Sequence, residues 1–307
     1  MAALVILVLS ALFAGCAAEG GGDGRLKVAA DIVPMADFCE QVGGDLVEVE
    51  TMVPPGASPH SYELTTGQMR FLEEAEVLVT VGMDLDPWAE EVFADVVDVS
   101  TARVVAGEAV PAEELIAAGD EGSGPEQETG GHERGLYDPH VWLDPVLAMG
   151  IVEAIGEGLA EADPAHAAAY RANAEDYIRN LAELDAEIAE KAALFSRREF
   201  VAFHSSWVYF ARRYGLEQVG VIEELPGKEP SAGEIADLVA LVEAGGVGVI
   251  FAEPQFSPRA AEAIAEESGG RVVVKILDPL GDPDDPEYDT YLKMMRRNVE
   301  VMGEALR

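Results

Sequence analysis

Short apolar runs rich in Val and Ile alternate along this chain with stretches in which apolar residues recur at helical spacing. In the first half, the runs at 26–30, 46–53, 77–81 and 96–99 predict strands, and the stretches at 36–42, 68–75 and 88–94 predict helices. In the second half, 200–203, 218–222, 247–252 and 272–276 predict strands, and 231–244, 258–268 and 288–306 predict helices. Alternating strands and helices are typical of parallel α/β sheets.

A single uninterrupted helical pattern separates these two halves. Asp163-Pro164 has the composition of an N-cap followed by a first helical residue, and no Gly or Pro occurs from there to Phe195. Apolar and aromatic positions such as Tyr170 and Tyr177 recur within it at helical spacing. About thirty residues form a helix of roughly 45 Å, which exceeds the size of one small lobe. We therefore expect this helix to run between two lobes.

The predicted fold is α/β with two lobes, each containing a mostly parallel sheet flanked by helices, joined by one long interlobe helix. We assign residues 26–145 to the N-terminal lobe, 146–198 to the connecting helices and 199–307 to the C-terminal lobe. Within the first lobe, residues 119–134 carry five acidic residues, several glycines and no apolar run, which predicts a mobile acidic loop.

The first sixteen residues, 1–16, indicate export. Residues 2–14 form an apolar run that is too short to span a bilayer but typical of a signal-peptide core. Cys16 follows small residues at its end, as in a bacterial lipobox, although Phe13 stands where Leu is usual. We expect lipidation of Cys16, a flexible tether at 17–25 and an extracytoplasmic domain anchored to the cell membrane. A cleaved secretory signal is the alternative.

The charge of the chain argues against a nucleic-acid-binding protein, and its cysteine content argues against a disulfide-stabilised one. The chain has 58 acidic and 20 basic residues, and its formal charge of −38 argues against nucleic-acid binding, which needs Lys and Arg to neutralise phosphates. An acidic surface favours solubility and also enriches cations nearby. Cys39 is the only cysteine besides Cys16, so the mature domain is not stabilised by an intramolecular disulfide, and we expect a lone buried thiol.

Three of the five histidines lie in turn-rich or aromatic-flanked segments and carry the candidate chemistry. His60 and His140 fall in loops of the first lobe, and His204 falls at the end of a predicted strand of the second. Ligands of open α/β sheets bind beyond the carboxyl ends of strands, so we expect these side chains to meet in the cleft between the lobes. Imidazole is the commonest protein ligand of borderline transition metals.

A carboxylate from another strand end would complete a four-coordinate site. Asp278 follows the predicted strand 272–276 and precedes Pro279, which makes it the first candidate. Glu253 follows the predicted strand 247–252 and is the alternative, either as a ligand or as a residue that supports one. Three imidazoles and one carboxylate suit Zn²⁺ well and tolerate Mn²⁺.

Three segments together resemble those of one known family. Pro-Pro-Gly-Ala-Ser-Pro-His-Ser-Tyr-Glu at 54–63, Asp-Pro-His-Val-Trp-Leu-Asp-Pro at 138–145 and Leu-Asp-Pro-Leu-Gly at 277–281 look like signature segments of one group of transport proteins. These are the zinc/manganese ABC-transporter solute-binding proteins, also called the cluster A-I metal-binding lipoproteins. The resemblance covers essentially the whole chain from Leu26 onward.

The resemblance implies two lobes joined by a long, fairly rigid helix, with a single metal between them. It implies that the metal is held by His60, His140, His204 and Asp278. Members with His at the third of these positions tend to bind zinc, whereas members with Glu there tend to bind manganese. Many zinc-type members also have a long His-rich loop before the second motif, whereas the loop of this chain contains only His132.

We therefore predict a monomeric, non-enzymatic solute-binding protein that captures Zn²⁺ and delivers it to an ABC permease driven by its ATPase. A Mn²⁺-binding protein of the same class and a surface metal-binding adhesin are the alternatives. A secreted zinc hydrolase is disfavoured because the chain lacks a His-Glu-x-x-His pair, which leaves Glu63 as the candidate base. We expect a rigid clamp with local loop motion, and an affinity that falls as the pH drops through about 6.5.

Overall fold

The computed structural model describes residues 24–86, 88–89, 92, 100–119, 136–223 and 227–307. In these ranges the chain forms two four-stranded parallel sheets flanked by helices, which confirms the predicted α/β class. No helix in the described ranges is both long and apolar enough to cross a membrane. The predicted leader at 1–16 with Cys16, most of the tether at 17–25 and nearly all of the acidic loop at 119–134 lie outside them.

The first sheet has the strand order β2–β1–β3–β4. Its strands are β1 (Leu26–Ala30), β2 (Val47–Thr51), β3 (Val77–Thr80) and β4 (Ala102–Val105). Helix α1 (Val33–Gly43) follows β1, and α2 (Thr66–Glu74) precedes β3. All four residues of β3 are buried, as expected for an inner strand of a parallel sheet with both faces covered.

The last strand of this sheet differs from the prediction. The predicted strand at 96–99 and most of the predicted helix at 88–94 lie outside the described residues. Strand β4 instead begins at Ala102, and Val104 is its only buried residue. An edge strand is covered less fully than an inner one, so this segment has no continuous apolar run by which its sequence could be identified as a strand.

Two helices connect the sheets: α3 (Pro145–Ala162) and α4 (Ala167–Ala192). The prediction that Asp163 and Pro164 start the long helix was wrong by three residues. Asp163 ends α3, and its carboxylate accepts hydrogen bonds from the Ala165 N–H at 3.2 Å and the Tyr170 hydroxyl at 3.0 Å. These bonds stabilise a turn through Pro164, so α4 begins only after His166.

The second sheet has the strand order β6–β5–β7–β8. Its strands are β5 (Glu199–Ala202), β6 (Glu217–Val221), β7 (Val249–Ala252) and β8 (Val273–Ile276). Its helices are α5 (Val208–Tyr214), α6 (Ala232–Gly245), α7 (Arg259–Glu267) and α8 (Tyr291–Leu306). Helix α6 begins with a capping box in which Ser231 and Glu234 each accept a hydrogen bond from the other's backbone N–H.

Helix α4 contacts both lobes, as the hydrophobic pattern predicts. Its 26 residues correspond to roughly 39 Å. It packs against α1 and α3 on the side of the first sheet and against α8 on the side of the second. Its buried face consists of Tyr170, Ala174, Tyr177, Leu181, Leu184, Ile188 and Ala192. One continuous helix therefore shares its core residues with both lobes.

A chain of buried hydrogen bonds, which we call the interlobe seam, links the lobes through Asp37, Trp142, Tyr177, Pro279 and Tyr291. The Trp142 indole N–H donates to the Pro279 carbonyl at 2.8 Å, and the Tyr291 hydroxyl donates to the Trp142 carbonyl at 2.7 Å. Asp37 accepts from the Tyr177 hydroxyl and from the Tyr291 N–H, both at 3.0 Å. Burial raises the pKa of Asp37, and the hydrogen bond from the Tyr291 N–H offsets only part of this increase.

The thiol of Cys39 is unpaired and fully buried in α1, which confirms the expectation of a lone buried cysteine. Burial raises its pKa, and the neighbouring Asp31 carboxylate adds to the shift. A thiol held in its neutral form by apolar surroundings contributes to packing rather than to metal binding, which requires the thiolate.

Removing the Tyr291 hydroxyl tests the contribution of the seam. Tyr291→Phe leaves the buried Trp142 carbonyl without its donor, so we expect the free energy of unfolding to fall by about 1–2 kcal/mol. Urea unfolding of the metal-free protein measures this change. Tyr137→Phe, at a tyrosine that is 38% exposed, is the matched control and should change stability by less than about 0.5 kcal/mol. Equal effects of the two substitutions would contradict a stabilising role of the seam.

Candidate metal centre

His60 lies in a short 3-10 turn, Pro59–Ser61, after the carboxyl end of β2. The loop that carries it is fastened by Gln68, whose side-chain amide donates to the Met52 carbonyl at 2.5 Å. The carbonyl oxygen of the same side chain accepts from the Tyr62 hydroxyl at 3.1 Å. The Nε2 atom of His60 is buried and has no hydrogen-bond partner in the described structure. An unpartnered imidazole nitrogen in a buried position is the atom that a metal ion would use.

His140 precedes a single 3-10 turn before α3, and its orientation is set by Asp138. One carboxylate oxygen of Asp138 is 2.9 Å from the His140 backbone N–H and 3.0 Å from its Nδ1. A carboxylate accepts hydrogen bonds, so Nδ1 carries the proton and Nε2 is left with its lone pair for a metal. The Tyr209 hydroxyl in turn donates to the Asp138 carbonyl at 2.9 Å, which ties this loop to α5.

His204 follows the carboxyl end of β5 and is 6% exposed. Its Nδ1 is 2.7 Å from the Ser206 hydroxyl oxygen and 3.5 Å from a carboxylate oxygen of Glu253. The Ser206 hydroxyl donates to the other oxygen of Glu253 at 2.7 Å. The second lobe therefore presents its histidine on a strand end, with a hydroxyl and a carboxylate behind the ring.

The three imidazoles meet at one point between the lobes. One nitrogen of each ring lies within 4.8 Å of the others, and among the described residues no carboxylate oxygen belongs to this group. Ring centroids are separated by 5.6 Å for His60 and His140, 5.0 Å for His60 and His204, and 4.8 Å for His140 and His204. Tetrahedral Zn²⁺ with bonds near 2.1 Å places its ligands roughly 3.4 Å apart, so the three nitrogens would have to move closer together to bind it.

The two carboxylates predicted for this site occupy different positions. Glu253 lines the cavity between the lobes, whereas Asp278 does not, although Pro279 and Leu280 beside it do. The Oδ1 atom of Asp278 accepts from the Gln255 side-chain amide and from the Leu280 N–H, both at 3.0 Å. Burial raises the pKa of Asp278, and the negative charge of Glu253 adds to the shift. Asp278 as the fourth ligand therefore stays a prediction.

The backbone around Asp278 is held in place by α8. The side chain of Asn298 accepts from the Asp278 N–H at 2.9 Å and donates to its carbonyl at 2.7 Å. Gly281 follows with a φ of 80°, and a Cβ at this position would lie 3.0 Å from the Tyr288 carbonyl oxygen. A side chain is excluded there, so the turn after Asp278 depends on glycine.

The remaining wall of the cavity is uncharged and includes two aromatic rings. The Trp142 ring lies 5.2 Å from that of His140, and the Phe256 ring lies 5.5 Å from that of His204. No Lys or Arg side chain from the described ranges lines the cavity. Its lining consists of Ser58, Pro59, His60, His140, Trp142, His204, Ser206, Glu253, Gln255, Phe256, Pro279 and Leu280. Such a setting places no positive side-chain charge where it would repel a cation.

Two side chains that orient the histidines, Asp138 and Ser206, were not predicted from the sequence, whereas Glu253 was named there as a possible supporting residue. Asp138 lies two residues before His140 and Ser206 lies two residues after His204, so both contacts are local in sequence. A hydrogen-bonding side chain two residues from a candidate ligand is a signal that could have been found. The contact of Ser206 with Glu253 spans 47 residues and has no such signal.

Comparison with known proteins gives a consistent result. The profile of the family described as "Zinc-uptake complex component A periplasmic" matches residues 28–305. The zinc-binding lipoprotein AdcA of Streptococcus pneumoniae is 29% identical over 98% of this chain, which spans only 60% of the AdcA length. The manganese-binding lipoprotein MntA of Halalkalibacterium halodurans is 28% identical over 98% of this chain and 97% of its own length.

Solved structures show the same similarity. A crystal structure of ZnuA superposes with a TM-score of 0.78 at 30% identity and covers 92% of this chain and 100% of its own. The laminin-binding protein Lmb of Streptococcus agalactiae, a bifunctional protein with adhesin and metal-transporting activity, gives a TM-score of 0.77 at 29% identity. That match covers 92% of this chain and 100% of Lmb.

The environment of His60 predicts its titration. Burial lowers its pKa well below the ordinary value of 6.5, and the neighbouring His204 and His140 lower it further. We therefore expect the His60 ring itself to stay neutral, and available for a metal, below pH 6.5, while the fall of affinity with pH stays a prediction. NMR titration of the metal-free protein, with His60→Asn to assign the resonance, measures this pKa. A midpoint at or above 6.5 would contradict the buried position of the ring.

Proposed function

This chain belongs to the family of the zinc-uptake complex component A, and on that premise we propose that it captures Zn²⁺ outside the cytoplasm and delivers it to an ABC permease. The observation that carries the proposal is the convergence of His60, His140 and His204 from two lobes on one point, at which His140 and His204 are buried and His60 is half-buried. With Asp278 as a fourth ligand the shell is closed, and a closed shell suits reversible capture rather than catalysis.

The donor set favours zinc over manganese. Three imidazole nitrogens suit a borderline ion such as Zn²⁺, whereas Mn²⁺ prefers oxygen donors. His60 is held neutral by burial, as metal binding requires. Capture of Mn²⁺ is the second candidate because the relative MntA, which matches nearly the full length of this chain, is named for manganese.

We propose that Asp278 completes the coordination shell. It lies next to the cavity on a turn that is fixed by Asn298 and Gly281, and its carboxylate is engaged with the amide of Gln255. Binding of the metal by Asp278 requires its carboxylate to exchange this amide for the ion. Glu253 lines the cavity, but both of its oxygens face the back of the His204 ring, one accepting from Ser206 and the other lying 3.5 Å from Nδ1, which suits a supporting role.

The cellular setting follows from the same family. We propose that the chain is a monomer, that it is lipid-anchored through Cys16 on the outer side of the cell membrane, and that the partner permease works with its own ATPase. The name of the relative AdcA, a zinc-binding lipoprotein, supports the anchor. An adhesin role like that of the laminin-binding Lmb is an alternative, which binding to immobilised laminin would test.

A hydrolase is the weaker hypothesis on this geometry. Glu63, the side chain considered as a general base, is exposed and does not line the cavity. A catalytic zinc needs a base within hydrogen-bond reach of its bound water. Glu253, the only carboxylate among the described lining residues, accepts a hydrogen bond from Ser206 instead.

Metal analysis tests the proposed function. The purified protein, stripped and then competed with Zn²⁺ and Mn²⁺ against a chelator of known affinity, should retain one Zn²⁺ per chain. His204→Ala should lose this metal, because removal of a first ligand opens the shell. Preferential retention of Mn²⁺ would keep the transport class and overturn the choice of metal. Absence of any tightly held metal would contradict the proposal as a whole.

Two amide substitutions distinguish the candidate carboxylates. Asp278→Asn should weaken Zn²⁺ binding by more than about 100-fold, beyond the range typical of residues that only support a ligand. Glu253→Gln should weaken it by roughly 10-fold. Isothermal titration in the presence of a competing chelator measures both, and the unfolding curve of each variant controls for stability. The reverse order would identify Glu253 as the ligand.

A further inference from the structure

Ser206 is a fully buried serine in the 3-10 turn Ser205–Trp207, directly after the strand end that carries His204. Its hydroxyl oxygen lies 2.7 Å from the Nδ1 atom of His204 and 2.7 Å from Oε1 of Glu253. The direct distance from that nitrogen to the nearest Glu253 oxygen is longer, at 3.5 Å. The hydroxyl is therefore the closest polar group to the back of the imidazole ring.

The hydrogen-bond inventory of these groups fixes the direction of the contacts. A carboxylate only accepts, so the single proton of the Ser206 hydroxyl is donated to Glu253. The hydroxyl oxygen must then accept a proton from Nδ1 of His204. This arrangement leaves Nε2 of the ring with its lone pair, which is the form that binds a metal.

We propose that Ser206 is a positioning residue for metal capture, which holds His204 in the tautomer and rotation that direct Nε2 into the cavity, with Glu253 as its anchor. The inference rests on the proposed function, because it concerns the same site. It adds that the two lobes orient their histidine ligands through different hydrogen bonds. In the first lobe, Asp138 binds the Nδ1 of His140 directly at 3.0 Å, whereas the second lobe inserts a hydroxyl between ring and carboxylate.

This arrangement also gives Glu253 a task that does not require it to touch the metal. It is 3% exposed, and no Lys or Arg side chain in the described ranges forms an ion pair with it. A divalent cation bound by one carboxylate keeps one positive charge, which the buried carboxylates behind His140 and His204 offset. Glu253 would thus balance charge through Ser206 and His204 while leaving the coordination shell to nitrogen and Asp278.

Substitutions at Ser206 separate the effect of its hydroxyl on metal binding from the effect of its side-chain volume. Ser206→Ala and Ser206→Val lack the hydroxyl, whereas Ser206→Thr retains it in a side chain of the same shape as Val. We expect Zn²⁺ affinity to fall about 10–100-fold in the Ala and Val variants and to stay near that of the parent protein in the Thr variant. Ser205→Ala is the control, since that neighbouring hydroxyl accepts from Gln218 at 3.0 Å.

The readouts are chelator competition for Zn²⁺ at fixed pH and the visible absorption spectrum of bound Co²⁺, which reports the geometry of the ligands. A changed Co²⁺ spectrum in the Ala and Val variants, with the parent spectrum in Ser206→Thr and Ser205→Ala, would support the proposal. Urea unfolding shows whether each variant is folded, and the Thr–Val comparison remains decisive if the Ala variant is unstable.

Three outcomes would overturn the inference. Parent-like affinity and spectrum in Ser206→Ala would show that the hydroxyl does not position the ring. Equal loss in Ser206→Thr and Ser206→Val would assign the effect to packing. A parent protein that binds no Zn²⁺ would overturn the proposed function together with the inference, whereas the first two outcomes leave the proposed function standing.

Discussion

The hydrogen bond between the Trp142 indole and the Pro279 carbonyl is the contact on which the candidate site depends. It joins the first-lobe segment that carries His140 to the second-lobe segment that carries Asp278, at a distance of 2.8 Å. Both partners are buried, so breaking the bond would leave polar groups without water to replace it. Tyr291, at the start of α8, donates its hydroxyl to the Trp142 carbonyl and its backbone N–H to Asp37 of α1. Buried hydrogen bonds therefore set the spacing between ligands that lie on separate lobes.

The charge distribution around this contact suits a divalent cation. Three buried carboxylates, those of Asp138, Glu253 and Asp278, surround the imidazoles, and each is held by hydrogen bonds rather than by Lys or Arg in the described structure. A cation brings the positive charge that these groups lack, while the formal charge of −38 on the whole chain attracts cations from solution. Burial keeps His60 neutral, so its nitrogen is available.

We expect the architecture to resist large hinge motion. Helix α4 shares its buried residues with both lobes, and the interlobe seam crosses the cleft beside the ligands. Metal binding would then involve local changes, in particular of the Asp278 side chain and of the Gln255 amide that is hydrogen-bonded to it. Local rearrangement costs less ordering of the chain than closure of two independent domains.

The sequence by itself determined the α/β class, most strands, the long helix and the three histidines, because these depend on local periodicity and short motifs at strand ends. It did not predict the edge strand β4, in which only Val104 is buried. It also placed the start of α4 too early, because the hydrogen bonds of the Asp163 side chain stabilise a turn before that helix. Only the tertiary structure decided that Asp138 contacts His140 and that Ser206 lies between His204 and Glu253, a residue that the sequence had left open as a ligand or a support. The contacts of Glu253 with Ser206 and of Trp142 with Pro279 span 47 and 137 residues, and no local pattern encodes a distance between residues so far apart in the chain.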